Sequence, residues 1–164
     1  IGVEDRILRK PGRLTPEEFA QMSTHPEQGY EILSHIKSLE QVIPGMRYHH
    51  ERPDGRGYPQ GLRGRQIPLL ARIIAVADTW DALTSDRPYR PALDESSALK
   101  ELWCNRGKQF DPYALSAFFS AYQKGKIYTQ HRPKGTFPPK SALKTLTEII
   151  KEHKLKNKKG GKNE

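Results

Sequence analysis

The chain has 164 residues, 35% of them aliphatic or aromatic, with 28 Lys+Arg against 19 Asp+Glu and a formal net charge of +9. That length suits one domain with a sizeable core, and the most apolar run, Leu69 to Ala77, is cut by Arg72 and far too short to span a bilayer. Residues 1–122 hold 16 Lys+Arg and 16 Asp+Glu while residues 123–164 hold 12 and 3, so the basic excess lies in the tail, which argues against a folded nucleic-acid reader.

In chain order, Pro11-Gly12 marks a turn after a short opening segment. Thr15-Pro16-Glu17-Glu18 predicts a helix start, with Thr15 as cap, Pro16 at the first helical position and Glu18 closing a capping box. Thr24-His25-Pro26-Glu27 predicts a second start, leading into a helix near His25–Ile36. A third helical stretch, Leu39 to His50, is punctuated by Pro44-Gly45. Residues 51–68 are too rich in Gly and Pro for a regular element and read as loop.

The next helix has Leu69, Ile73, Val76, Ala77, Trp80 and Thr84 on one stripe, with Asp78 well away from it, and the helical region ends by Pro88 and Pro91. Two more helices are predicted near Asp94–Cys104 and Asp111–Tyr122, the second with Asp as cap and Pro112 at its first position. After Gln123 the pattern weakens: a helix over 142–153 is followed by an expectation of disorder over Lys154–Glu164. With no run of alternating strands, the fold class is all-α. The expected division is 1–122 as the domain and 123–164 as a basic tail, read as a solvated segment rather than a binding arm. The single cysteine, Cys104, rules out an internal disulfide, fits a reducing cytoplasm, and is expected to be a buried helix residue. The chain opens on Ile1 with no signal-peptide pattern, which suggests a fragment or a trimmed piece.

Four side chains stand out as candidate metal ligands: His25, His49, His50 and Asp78. Imidazole and carboxylate suit Fe, Mn, Zn or Ni. Taken singly, each His reads as a surface or core-edge residue rather than a ligand, and Asp78 as a solvent-face helix residue; the pair just before a Gly-rich loop brings the ligand reading level. Adjacent histidines on a regular helix point about 100° apart, so His49 and His50 share one ion only if the helix ends there. The loop Asp54-Gly55-Arg56-Gly57-Tyr58-Pro59 offers backbone amides and an arginine for phosphate, and a ring for stacking on a base. It also reads as a plain turn. Arg87 and Arg90, flanking Pro88-Tyr89, could hold phosphate or be solvated loop charge.

The run His49-His50-Glu51-Arg52-Pro53-Asp54-Gly55-Arg56-Gly57-Tyr58-Pro59-Gln60-Gly61-Leu62 resembles the HD-GYP signature HHExxDGxGYPxGL at every defined position. Lys10 to Thr15, Thr24-His25-Pro26 with Gly29-Tyr30, Ala75 to Asp78, Asp81 to Arg90 and Phe110-Asp111-Pro112 extend the resemblance over about residues 1–122. By that resemblance His25, His49, His50 and Asp78 fall on metal-ligand positions, and Tyr58, Arg87 and Arg90 on positions that contact cyclic di-GMP. Arg90 departs from the Lys common there, which keeps the cation but changes its geometry. The family's His-Asp-Ile-Gly-Lys motif, whose Asp bridges two metals, would lie before Ile1, and no His-Asp dipeptide occurs in the chain.

The resemblance implies a cytoplasmic bacterial phosphodiesterase that hydrolyses cyclic di-GMP to pGpG, with GMP allowed as a further product. The reaction would be in-line attack of water activated by two or three divalent ions (Fe, Mn, or Ni and Zn). Residues 1–164 alone, lacking the His-Asp pair, are expected to be inactive. Implied partners are an upstream receiver or sensory domain and diguanylate cyclase domains docking on the Gly-Tyr-Pro loop; no nucleic acid is expected. The alternative is a non-catalytic module that binds cyclic di-GMP or another protein.

Overall fold

Side-chain caps set the starts of three helices. Thr15 accepts the Glu18 N–H at 3.3 Å while Glu18 accepts the Thr15 N–H at 2.7 Å, the reciprocal capping box the sequence predicts. Asp111 accepts from the Tyr113 and Ala114 N–H groups, both at 2.9 Å, and Asp94 accepts from the Ser97 N–H at 3.0 Å. The computed structural model describes residues 2–87 and 90–160, the backbone alone over 154–160. Pro88 and Tyr89, expected to end a helical region, lie outside the described residues.

The elements are α1 (Asp5–Leu8), α2 (Pro16–Met22), α3 (His25–Leu33), α4 (Ile43–Arg47), α5 (Leu69–Thr84), α6 (Glu95–Cys104), α7 (Pro112–Gln123) and α8 (Lys140–Gly160), with 3₁₀ turns at Lys37–Leu39 and Gly64–Gln66. Among the described residues extended pairing is limited to isolated bridges such as Asp54–Arg63, so the fold is all-α. No helix among them is long and apolar enough to cross a membrane.

The main core lies toward the C-terminal side. Val76 and Trp80 of α5 meet Leu99 and Leu102 of α6, Leu115, Phe118, Phe119 and Tyr122 of α7, and Ala142, Leu146 and Ile149 of α8. Removing such side chains from water stabilises by roughly 1.5–3 kcal/mol each. Gly45 lets α4 lie directly on α5, because a Cβ there would stand 2.5 Å from Leu70 Cγ.

Several expectations change. The stretch Leu39 to His50 is not one helix: a 3₁₀ turn ends at Leu39 and α4 starts at Ile43, because Pro44 fits the first turn of a helix but not its interior. The buried face of α5 is Ala71, Val76, Trp80 and Thr84, whereas Leu69 (58% exposed) and Ile73 (46% exposed) face outward. Residues 140–160 form one helix, longer than the expected 142–153, and the disorder expected from Lys154 is not found up to Gly160; residues 161–164 lie outside the described residues. Ala142, Leu146 and Ile149 anchor that helix on α6. Cys104 is exposed rather than buried: it is the last residue of α6.

Candidate metal centre

Two tertiary contacts bring residues 25 and 50 together. Arg47, at the end of α4, grips Glu27 of α3 with bonds of 2.8 and 3.1 Å, and its guanidinium lies 4.0 Å from the centre of the Tyr30 ring. Gly29 meanwhile lets the Met46 sulfur come close to α3. His25 opens α3, and His49 and His50 follow α4, so the clamp carries the three rings to one place. The helix ends at Arg47, which frees the adjacent histidines from helical geometry: their ring centroids lie 3.9 Å apart.

The ligand atoms of His25, His49 and His50 all lie within 4.8 Å of one another. His25 Nδ1 stands 2.7 Å from Met22 O and His49 Nδ1 stands 2.5 Å from Met46 O. A carbonyl only accepts, so both rings carry their proton on Nδ1 and leave the Nε2 lone pair free, the arrangement found behind metal-bound imidazoles. His50 Nε2 faces His25 Nε2 at 3.2 Å. Two nitrogens held at ~2.1 Å from one ion, at angles between octahedral and tetrahedral, stand about 3.0–3.4 Å apart, so the pair already has the spacing of a shared ion. Burial, then the neighbouring His49 and His25, pushes the His50 pKa down to about 3, which keeps that ring neutral and able to donate a lone pair. The donor set fits a divalent transition metal.

A cavity of about 220 Å³ opens beside these rings, lined by His49, His50, Tyr58, Arg56 and Asp78 among others. Asp78 is exposed on α5 and lies on this wall, outside the group of three imidazoles. Tyr58 lies over His50, centroids 4.7 Å apart and planes tilted by 30°, and meets the Phe19 ring edge-on at 5.7 Å. Burial, reinforced by Asp78, raises the Tyr58 phenol to about 12, so it stays a neutral donor.

The loop carrying Tyr58 is held by specific contacts. Asp54 pairs with Arg52 at 2.7 Å and accepts the Arg56 N–H at 3.0 Å; the Arg52 bond is the main reason its carboxyl is held below the usual range. Gly55 reverses the chain, and the bond from Tyr58 to Pro59 is cis. A Cβ on Gly57 would stand 2.4–2.5 Å from Arg52 N, Glu51 Cα and His50 O, so only glycine lets the loop sit this low. Glu51 is only 2% exposed, and its carboxylate accepts the Gln60 N–H at 2.6 Å and the Leu62 N–H at 2.9 Å.

Glu51 and Phe19 carry no role in the sequence reading. For Glu51 no short-range pattern carried the signal, because the N–H groups its carboxylate accepts lie nine and eleven residues further on. Arg87 and Arg90 do not line the cavity. Arg87 lies 3.9 Å from Asp81, and the Arg90 guanidinium donates to the Ala82 carbonyl near the end of α5.

Residues 3–114 match the family described as HD domain. The chain is 47% identical over 119 residues to the cyclic di-GMP phosphodiesterase response regulator RpfG of Xanthomonas campestris pv. campestris, covering 71% of this chain and 32% of that protein. It is 46% identical over 120 residues to a cyclic di-GMP phosphodiesterase of Thermotoga maritima, covering 72% and 33%. The chain thus spans about a third of the length of these curated relatives. A crystal structure of a cyclic GMP-AMP specific phosphodiesterase from V. cholerae has the same fold, with a TM-score of 0.55 at 18% identity over 88% of this chain and 41% of that one.

Proposed function

The chain belongs to the HD domain family, and from that premise we propose that it is part of the catalytic module of a metal-dependent phosphodiesterase of the HD-GYP kind, acting on cyclic di-GMP in the cytoplasm. The observation that carries this reading is the trio of His25, His49 and His50, two of them with pinned tautomers, beside a cavity that His49 and His50 line together with Tyr58 and Arg56. In this reading the three imidazoles hold a divalent ion, with Asp78 supplying a carboxylate from the cavity lining. Bound divalent ions supply the Lewis acidity that activates water and absorbs charge on the phosphoryl oxygens.

The chain's own residues bind and orient. The exposed guanidinium of Arg56 meets a phosphate, and the Tyr58 ring packs against a guanine. The neutral phenol donates without bringing a negative charge toward the phosphodiester. Arg87 and Arg90 act on the second half of a dinucleotide, once Arg87 gives up Asp81. The bond broken is P–O3′ and the product is linear pGpG. A receiver or sensory domain upstream, and diguanylate cyclase domains as docking partners, go with this reading.

The test is incubation of the full-length gene product with cyclic di-GMP and Mn²⁺, Fe²⁺, Ni²⁺ or Zn²⁺, followed by chromatography for pGpG. A parallel reaction on cyclic GMP-AMP separates the two substrate classes. No hydrolysis with any of the metals, alongside tight binding of cyclic di-GMP, would replace this reading with that of a binding module.

A further inference from the structure

Glu51 sits directly after the two histidines, yet its carboxylate does not join them. Its side chain turns into the loop and takes the N–H groups of Gln60 and Leu62, one on each oxygen. Those two N–H groups belong to the returning limb of the loop. The outgoing limb rests on the same backbone from the other side: the Tyr58 N–H donates to His50 O at 3.3 Å, and Gly57 lies against Glu51 Cα. The His50–Glu51 segment is therefore the floor of the loop, and the Glu51 carboxylate is the tie that keeps the loop on that floor.

We propose that Glu51 is the positioning residue of the histidine pocket: its buried carboxylate fixes the Tyr58 ring on His50 and so holds His50 Nε2 against His25 Nε2. The inference rests on the reading of the imidazoles as a metal site, and deepens it. Without the carboxylate, the part-buried Gln60 and Leu62 N–H groups lose their acceptor, and the loop shifts to give them water. Lifting takes Tyr58 off the His50 ring, where the two now lie 4.7 Å apart. His50 has no carbonyl partner of the kind that pins His25 and His49, so the Tyr58 ring and the His25 contact orient it. Outer contacts of this sort act on a metal through ligand orientation.

The experiment compares wild type with Glu51→Gln, which preserves volume but turns an NH₂ group toward one of the two N–H donors. Glu51→Asp keeps the charge on a shorter stem. Glu95→Gln removes a part-buried carboxylate that lies outside the pocket, bound to Arg132 at 2.7 Å. Two readouts are taken from each folded protein: in the metal-free state, the NMR contact between the Tyr58 and His50 rings, and on titration with Co²⁺, the affinity and the visible spectrum. Expected for Glu51→Gln are loss of the ring contact, Co²⁺ binding at least ~10-fold weaker and shifted bands, while Glu95→Gln keeps the wild-type ring contact and spectrum. Glu51→Asp gives the same changes in smaller measure and decides the matter if Glu51→Gln does not fold. An intact ring contact with unchanged Co²⁺ binding in the Glu51 variants overturns the proposal. A wild type that binds no Co²⁺ overturns the metal reading instead, and the metal-free ring contact still judges the role of Glu51.

Discussion

The Nε2 atoms of His25 and His50 face each other across 3.2 Å, although 25 residues of chain separate them. Among the described residues neither nitrogen has another hydrogen-bond partner that would explain so close an approach, and burial keeps His50 neutral. Two neutral imidazoles gain little from each other in that geometry beyond one N–H···N bond. With an ion between them the same spacing becomes a pair of ligand bonds. The Arg47–Glu27 clamp builds this approach from α3 and α4.

His50→Ala should therefore strip bound metal from the protein, while His35→Ala should leave it in place. His35 is exposed and stands outside the cluster. Elemental analysis of the two purified variants after metal loading checks this, and equal losses in both would remove His50 from the site.

Tyr58→Ala should weaken binding of cyclic di-GMP by ~10-fold or more, since a stacked base is worth about 1–3 kcal/mol. Tyr58→Phe should retain most of that affinity, because the ring makes the contact with His50 and Phe19. Calorimetric titration of the two variants distinguishes ring from hydroxyl; equal weakening in both would assign the effect to the phenol.

Acid should destabilise the fold partly through Asp111. Burial opposes its ionisation, but the Ala114 N–H, the Arg72 guanidinium at 3.1 Å and the Tyr113 N–H outweigh burial and lower its pKa. A carboxylate with a lowered folded pKa contributes stability that is present above its unfolded pKa, about 3.9, and is lost as pH falls through the folded value. Urea midpoints measured from about pH 5 downward should fall less steeply for Asp111→Asn than for wild type, from a lower starting point. Parallel curves for the two would show that Asp111 has no part in the acid response.

Arg132 should be costly to remove. It is buried, pairs with Glu95 at 2.7 Å, and donates to the carbonyls of Ile127 and Thr136, while the Tyr122 hydroxyl donates to the other Glu95 oxygen. Arg132→Ala leaves Glu95 charged and buried without its cation, a change that costs about 3–5 kcal/mol. Arg6→Ala breaks only an exposed pair with Glu4 and should leave the unfolding midpoint where it is. Chemical denaturation of both variants makes the comparison.

The caps at Thr15 and Asp111 were legible because capping is local: the donor and acceptor lie within three residues. The grouping of His49 with His50 was legible because a Gly-rich loop follows at once. The buried face of α5 was not. That helix packs against α4 on one side and α6 and α7 on another, so its burial follows its neighbours rather than its own period. Beyond His153 the chain is Lys-rich with little apolar periodicity, so nothing in the residues announced that the helix would continue to Gly160. The loop role of Glu51 depends on Gln60 and Leu62, nine and eleven residues away, and on no short-range pattern.

Residues 1–164 by themselves should bind one divalent ion and turn over no cyclic di-GMP. Among the described residues a single group of three imidazoles has its ligand atoms within 4.8 Å, and Asp78 stands apart on the cavity wall. Hydrolysis by a pair of ions needs a ligand that bridges them at about 3.5–4 Å, and the His-Asp pair that would supply it does not occur in residues 1–164. The apolar stripe that would otherwise make these residues associate is only half open: α7 covers Val76 and Trp80, while Leu69 and Ile73 face solvent. Residues 1–164 should accordingly stay folded enough to load metal, with self-association through that exposed part. Metal content per chain after dialysis, and chromatography for pGpG with Mn²⁺ present, decide the matter. Two tightly held ions, or hydrolysis that a chelator abolishes, would mean that a carboxylate of this chain, Asp78 first among them, takes the bridging role.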